Sequence, residues 1–240
     1  LACRGELPVL PSDEIDVGKD PLGGVSIKGM YLLNEGNMGS NKATLDYFDY
    51  ETGIYHKNIY AERNPGVVQE LGDVGNDIQI YGNKLYAIIN CSHFVEVMNV
   101  ETAKHITQIS IPNCRYIVFK DKYAYVSSYA GPVKIDPNAR LGYVARVDTT
   151  TLTVKDTCVV GYQPEEMVIV GNKLYVANSG GYRVPNYDRT VSVIDLNTFK
   201  VIKTIDVGIN LHRMELDQYG SAEEAKAYGM VDEILVRNSK

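Results

Sequence analysis

The residues with chemistry to offer gather in the irregular stretches of this 240-residue chain. Four such stretches stand out: Asn34-Glu35-Gly36-Asn37, Asn90-Cys91-Ser92-His93, Ser128-Tyr129 with the excursion Ala130 to Leu141, and Asn178 to Arg189. The last carries Tyr182, Arg183, Asn186, Tyr187 and Asp188. Tyrosines give flat apolar area with a polar tip, while asparagine, serine and arginine give directional donors. Such a mixture suits adhesion to a large polar ligand or a protein partner rather than bond breaking. The candidate ligand-binding residues are therefore Asn34, Glu35, Asn37, Asn90, His93, Ser128, Tyr129, Tyr182, Arg183, Tyr187 and Asp188.

Signals for catalysis are thin, and the expectation is a protein that is not an enzyme. His56, His93, His105 and His212 are far apart in sequence, with no HExxH and no two at metal-ligand spacing. Glu165 and Glu166 are adjacent, so on an extended segment they point opposite ways and do not form a general acid/base pair. No Gly-rich phosphate loop or nucleophile elbow is present, and no catalytic residue, metal or catalytic cofactor is assigned. Cys91 and Cys114 flank one repeat on its loop-rich side, which would suit a disulfide in an exported protein; Cys158 reads as an apolar filler in an outer strand.

These stretches must be held by the elements between them, and those elements repeat. From Gly161 to Gly208 the chain runs through an apolar stretch Met167 to Val170, the turn Gly171-Asn172, a strand Leu174 to Asn178, a polar loop, a strand Thr190 to Leu196, the turn Asn197-Thr198 and a strand Val201 to Val207. Alternating β-branched and aromatic residues between Gly/Asn/Asp clusters mark short antiparallel strands. The pair Asp195…Thr198 recurs as Asp49…Thr52, Asn99…Thr102 and Asp148…Thr151, at periods of 50, 49 and 47 residues. A second motif recurs once in each of the later repeats: Asn83-Lys84-Leu85-Tyr86, Asp121-Lys122-Tyr123-Ala124-Tyr125 and Asn172-Lys173-Leu174-Tyr175. Two motifs recurring repeat by repeat predict an all-β propeller of four-stranded antiparallel blades.

The blades fall at about 25–59, 77–111, 116–160 and 167–207, and a fifth opens at 208–220, because Met214-Glu215-Leu216 sits 47 residues after Met167-Val168-Ile169. In a meander the connections alternate between two faces. Short first-to-second and third-to-fourth turns share one face, and the long second-to-third loops and interblade links share the other. Binding is expected on the second, since long loops on a rigid scaffold are where it concentrates.

A net charge of −6 leaves no basic stripe for nucleic acid, and no stretch approaches the ~20 apolar residues of a bilayer span. Residues 1–24 are rich in Pro, Gly and Asp and read as a tether. Its Leu1-Ala2-Cys3 is similar to the end of a bacterial lipoprotein signal, which implies lipidation at Cys3. Residues 221–240 follow another grammar: Ser221 and Glu224 form a capping box, Gly229 suits a helix stop, and Met230 to Val236 reads as a strand, a short non-propeller α/β tail. That tail resembles the C-terminus of the Clp protease proteolytic subunit. No peptidase motif accompanies it, and it reads as a foreign piece.

Five segments carry a wider resemblance: Leu33-Asn34-Glu35-Gly36-Asn37-Met38-Gly39, Val74-Gly75-Asn76-Asp77-Ile78, Pro112-Asn113-Cys114-Arg115-Tyr116, Gly161-Tyr162-Gln163-Pro164-Glu165-Glu166-Met167 and Asn178-Ser179-Gly180-Gly181-Tyr182-Arg183. With them the chain resembles the YncE-like and surface-layer propellers of Gram-negative envelopes, within that group the cobalamin-capturing surface lipoproteins of the BtuG type. The resemblance implies a seven-bladed ring, of which this chain holds part, and a lipid anchor as its only membrane contact. It also implies an outer-membrane, cell-surface location, capture of a corrinoid (vitamin B12) as ligand rather than cofactor, and handover to a TonB-dependent outer-membrane receptor. The alternatives are a surface-layer or adhesion scaffold, or a propeller-type hydrolase or redox enzyme.

Overall fold

A computed structural model describes residues 13–18, 27–67 and 70–216. It contains four antiparallel four-stranded sheets, arranged as consecutive propeller blades. The first holds β2 (Gly29–Asn34), β3 (Thr44–Asp49) and β4 (Ile54–Lys57), with β1 (Asp13–Asp16) added outside β4. A single helical turn α1 (Ile59–Arg63) leads out of it. The second blade is β5 (Gly75–Tyr81), β6 (Lys84–Ile89), β7 (Phe94–Asn99) and β8 (His105–Ser110). The third is β9 (Cys114–Lys120), β10 (Tyr123–Ser128), β11 (Tyr143–Asp148) and β12 (Thr153–Val159); the fourth is β13 (Pro164–Val170), β14 (Lys173–Asn178), β15 (Thr190–Asp195) and β16 (Lys200–Asp206).

The two middle blades are apolar on both faces because each is sandwiched between neighbours. Along β6, Leu85, Ala87 and Ile89 point toward the first blade and pack near Leu45 and Met98, while Tyr86 and Ile88 point toward the third and meet Ile117 and Val126. Successive side chains alternate faces, so one strand feeds two cores. Between the third and fourth blades Tyr125, Val144, Met167, Leu174, Val176 and Ile194 form the next core. A fully buried aliphatic side chain contributes roughly 1.5–3 kcal/mol, so these interblade layers are the main source of cohesion.

The repeated Asp/Asn…Thr motif is a turn device. Asp49, Asn99, Asp148 and Asp195 each accept, through Oδ1, the backbone N–H groups two and three residues on. Their carbonyls also accept the N–H four residues on, at Gly53, Ala103, Leu152 and Phe199. Those four residues have φ of 77°, 53°, 56° and 52°. Three of the four are not glycine, and their side chains are buried in or packed against the interblade cores, which offsets the left-handed backbone.

Four expectations shift. The inner strands of blades two to four begin two or three residues earlier than read, at Gly75, Cys114 and Pro164. Within the stretch read as a tether, Asp13–Asp16 forms a strand: Ile15 pairs with Tyr55, and an edge position needs only backbone partners. α1 has no counterpart in the sequence reading, because a five-residue helix buries only Ile59 and Tyr60 and leaves no periodic stripe. The fifth blade's start reaches Leu216 without a strand, and Cys3 and the tail 221–240 lie outside the described residues.

Cys91 and Cys114 are free thiols, which corrects the disulfide expectation. Cys114 is fully buried in the core between blades two and three, its Sγ 3.3 Å from the Phe94 carbonyl, while Cys91 is half-buried beside Asn90. Burial pushes both thiols up, Cys114 to about 12.

Candidate functional site

The long connections lie on one face and are joined by hydrogen bonds within and between blades. Gly75 N donates to the Glu35 carbonyl, Asn90 N to Val74, and Tyr129 N to Asn113. Asp136 N then donates to the Tyr182 carbonyl, Gly180 N to Tyr162, and Asn210 N to Asp188. The loops after β2, β6, β10 and β14 thus form a continuous rim.

Each interblade link enters its next segment through a left-handed residue: Val74 (φ 62°), Asn113 (46°), Gln163 (48°) and Asn210 (59°). Two residues beyond each stand Asn76, Arg115, Glu165 and His212. These repeat-equivalent residues are linked in order. Asn76 Nδ2 donates to the Arg115 carbonyl, Arg115 Nε lies 3.1 Å from Glu165 Oε2, and His212 Nδ1 lies 3.2 Å from Glu165 Oε1. Glu165 has no exposed side-chain surface, and it also accepts from the Tyr129 hydroxyl and from Ser179 Oγ at 3.2 Å. Burial alone would raise its carboxyl, but the bonds from His212 and Tyr129 and the Arg115 charge outweigh it and hold the group below the usual value. Burial pushes the Tyr129 hydroxyl well up, reinforced by the Glu165 charge. The Arg115 guanidinium sits 4.9 Å from the Tyr129 ring centre, and the Tyr182 ring meets Tyr129 edge-on at 6.3 Å.

One position further along, the alternation reverses direction. Glu166 leaves the buried cluster and pairs with Arg213, which lies 5.5 Å over the Tyr116 ring. The two glutamates point apart, as adjacent residues of a strand must.

The candidate residues divide into braces and free groups. Asn34 donates to Thr44 Oγ1 and Asp46 Oδ2, and buried Asn90 donates to the Cys114 carbonyl at 2.8 Å. His93 Nδ1 accepts from Asn113 N at 3.0 Å, and Ser128 Oγ donates to the Pro112 carbonyl at 2.5 Å. Asp188 accepts from Tyr162 N and from Thr190. These five fix loop shape. Tyr129 is buried within the Glu165 cluster. Glu35, Asn37 and Tyr187 are exposed, while Tyr182 and Arg183 are partly so, with Arg183 stacked 3.5 Å above the Tyr162 ring. Asn34 and His93 are exposed as well and Asp188 is partly so, whereas Asn90, Ser128 and Tyr129 are buried and offer no surface to a ligand.

The sequence reading missed Arg115, Glu165, Gln163 and His212 as a unit. A signal existed: opposite charges at Arg115 and Glu165 stand one repeat apart, so neighbouring blades bring them together. Beside this cluster the excursion after β10 encloses a pocket of about 300 Å³ bordered by Tyr129, Pro132, Lys134, Asp136, Arg140 and Gln163. Ser179 Oγ donates to the Gln163 carbonyl and to Glu165, so the serine is not held by a histidine base. Among the described residues no cluster of three or more His, Cys, Asp or Glu could hold a metal.

Known proteins share the architecture. Hydrazine synthase of Kuenenia stuttgartiensis matches with TM-score 0.53 at 17% identity, over 68% of this chain and 43% of that one. The dihydro-heme d1 dehydrogenase NirN in complex with DHE matches with TM-score 0.50 at 11% identity, over 74% and 35%. The WD40 β-propeller domain of Doa1 gives TM-score 0.44 at 15% identity, over 57% and 42%. At such identities the first two show a likeness of fold alone, and the chain spans less than half of each of the three structures. No curated protein sequence matches. Residues 28–230 match the family model of a domain of unknown function, DUF5074, and the chain belongs to that family.

Proposed function

We propose that the loop-rich rim captures a corrinoid by non-covalent contact and passes it to a TonB-dependent receptor. The chain would work at the outer-membrane surface, held by a lipid on Cys3. The observation that carries the reading is the rim itself: a blade-to-blade hydrogen-bonded surface, stiffened by the buried Glu165 cluster, that leaves Tyr182, Arg183 and Tyr187 available. A preformed surface limits the ordering entropy lost on binding, and aromatic faces with a few fixed donors suit a large amphipathic macrocycle. The resemblance of Leu33–Gly39 and Asn178–Arg183 to the BtuG-type lipoproteins supplies the choice of ligand.

Isothermal titration of cyanocobalamin into the protein tests this. The expected result is saturable binding at micromolar ligand or below, weakened about tenfold or more by Tyr182→Ala with Arg183→Ala, as expected for removing an aromatic and an arginine anchor. Absence of heat at micromolar ligand would overturn it.

A further inference from the structure

A corrin ring is too wide for the pocket bordered by Tyr129 and Gln163, so it must lie across the rim. The pocket, at about 300 Å³, is nevertheless at the lower end of ligand-site sizes, and its walls are built. The excursion that forms it is internally bonded, with Lys134 N to the Pro132 carbonyl and Ala139 N to Asp136. It is braced from outside by Asn113 Nδ2 on the Gly131 carbonyl and by the Asp136–Tyr182 backbone bond.

Its polar groups are not spent. Gln163 is only 2% exposed and accepts from Tyr182 N through Oε1 at 2.6 Å, while its Nε2 makes no hydrogen bond among the described residues and the residue borders the pocket. Arg140 donates to the Ala130 carbonyl and keeps further N–H groups, and Lys134 forms no side-chain ion pair among the described residues. The one acid, Asp136, already accepts from Asn138 N at 2.9 Å. The pocket thus offers a side-chain amide donor, two cations and the edge of an aromatic cluster.

We propose that this pocket takes the phosphodiester-bearing nucleotide arm of the corrinoid, while the macrocycle rests on the rim. The inference depends on the corrinoid reading above and assigns a specific subsite within it. The phosphate accepts from Gln163 Nε2 and lies near Lys134 and Arg140, and the base of the arm packs against Tyr129 and Pro132.

Titration of the full chain with cyanocobalamin and with cobinamide, which lacks the nucleotide arm, separates the two claims. Cobinamide is expected to bind at least about tenfold more weakly, the value of one charge-assisted hydrogen bond. Gln163→Glu keeps the acceptor for Tyr182 N and replaces the free donor by a carboxylate oxygen. It should weaken cobalamin by a similar factor and leave cobinamide unchanged. Lys134→Ala, at an exposed position, should act in the same direction and serves as the test if Gln163→Glu lowers the melting temperature. Equal binding of the two corrinoids, or equal weakening of both by the variants, would overturn the subsite and leave corrinoid capture standing. Binding of neither would overturn both.

Discussion

Arg115→Ala is expected to destabilise the protein by about 3–5 kcal/mol, because it leaves the Glu165 carboxylate buried without its main cation. For a chain of this size that corresponds to a fall in melting temperature of roughly 6–20 °C, readable by calorimetry or urea unfolding. The size of the effect follows from geometry: Glu165 is fully buried, and Arg115 Nε approaches it at 3.1 Å. His212 contacts the same carboxylate from a half-exposed position and cannot replace a buried guanidinium. Acid titration gives the same experiment a second axis. The folded carboxyl sits below its ordinary value of 4.5, so protonation is disfavoured in the native state. A lowered folded pKa contributes stability that is present above the unfolded value and is lost as pH falls through the folded one. Wild-type stability should therefore decline below about pH 4.5. The deficit of Arg115→Ala should shrink over the same range, since protonation removes the charge that the variant leaves unpaired. A deficit independent of pH would assign the loss to packing alone.

The second large effect is expected at Gly180. Its φ is +55°, and a Cβ there would overlap the Asp188 backbone nitrogen and sit 3.1 Å from the Tyr187 carbonyl carbon. Gly180→Ala should cost about 1–2 kcal/mol for the left-handed backbone and about 1–3 more for the forced displacement. The displaced segment carries Tyr182, Arg183 and Tyr187, so corrinoid affinity should fall along with stability. Gly171 supplies the control: its φ is +56°, but a Cβ there would meet nothing within 4 Å, and it belongs to a hairpin on the opposite face. Gly171→Ala should show the backbone penalty alone and leave binding untouched. Equal loss of binding in both would contradict the assignment of the binding face.

Fold and face were legible in the sequence because their causes are local and repeated. The Asp/Asn…Thr spacing encodes a turn in which one side-chain oxygen holds two backbone N–H groups. The Asn83-Lys84-Leu85-Tyr86 motif marks a strand whose Leu85 and Tyr86 feed two cores. β1 was not legible, because its edge pairing with β4 runs through the backbone and needs no side-chain pattern. The Glu165 cluster was half legible. The alternation separated Glu165 from Glu166 correctly, but partners from three segments meet only when blades pack side by side. Asn90 and Ser128 read as ligand contacts yet are buried braces, because turn braces and ligand donors draw on the same residue types.

Hydrogen–deuterium exchange of the full chain with and without cyanocobalamin tests the central claim most directly. Protection confined to the connections at 35–43, 129–142 and 179–189 is the predicted result. Protection at the hairpins 49–53, 99–103, 148–152 and 195–199 instead, or at neither face under saturating ligand, would contradict it.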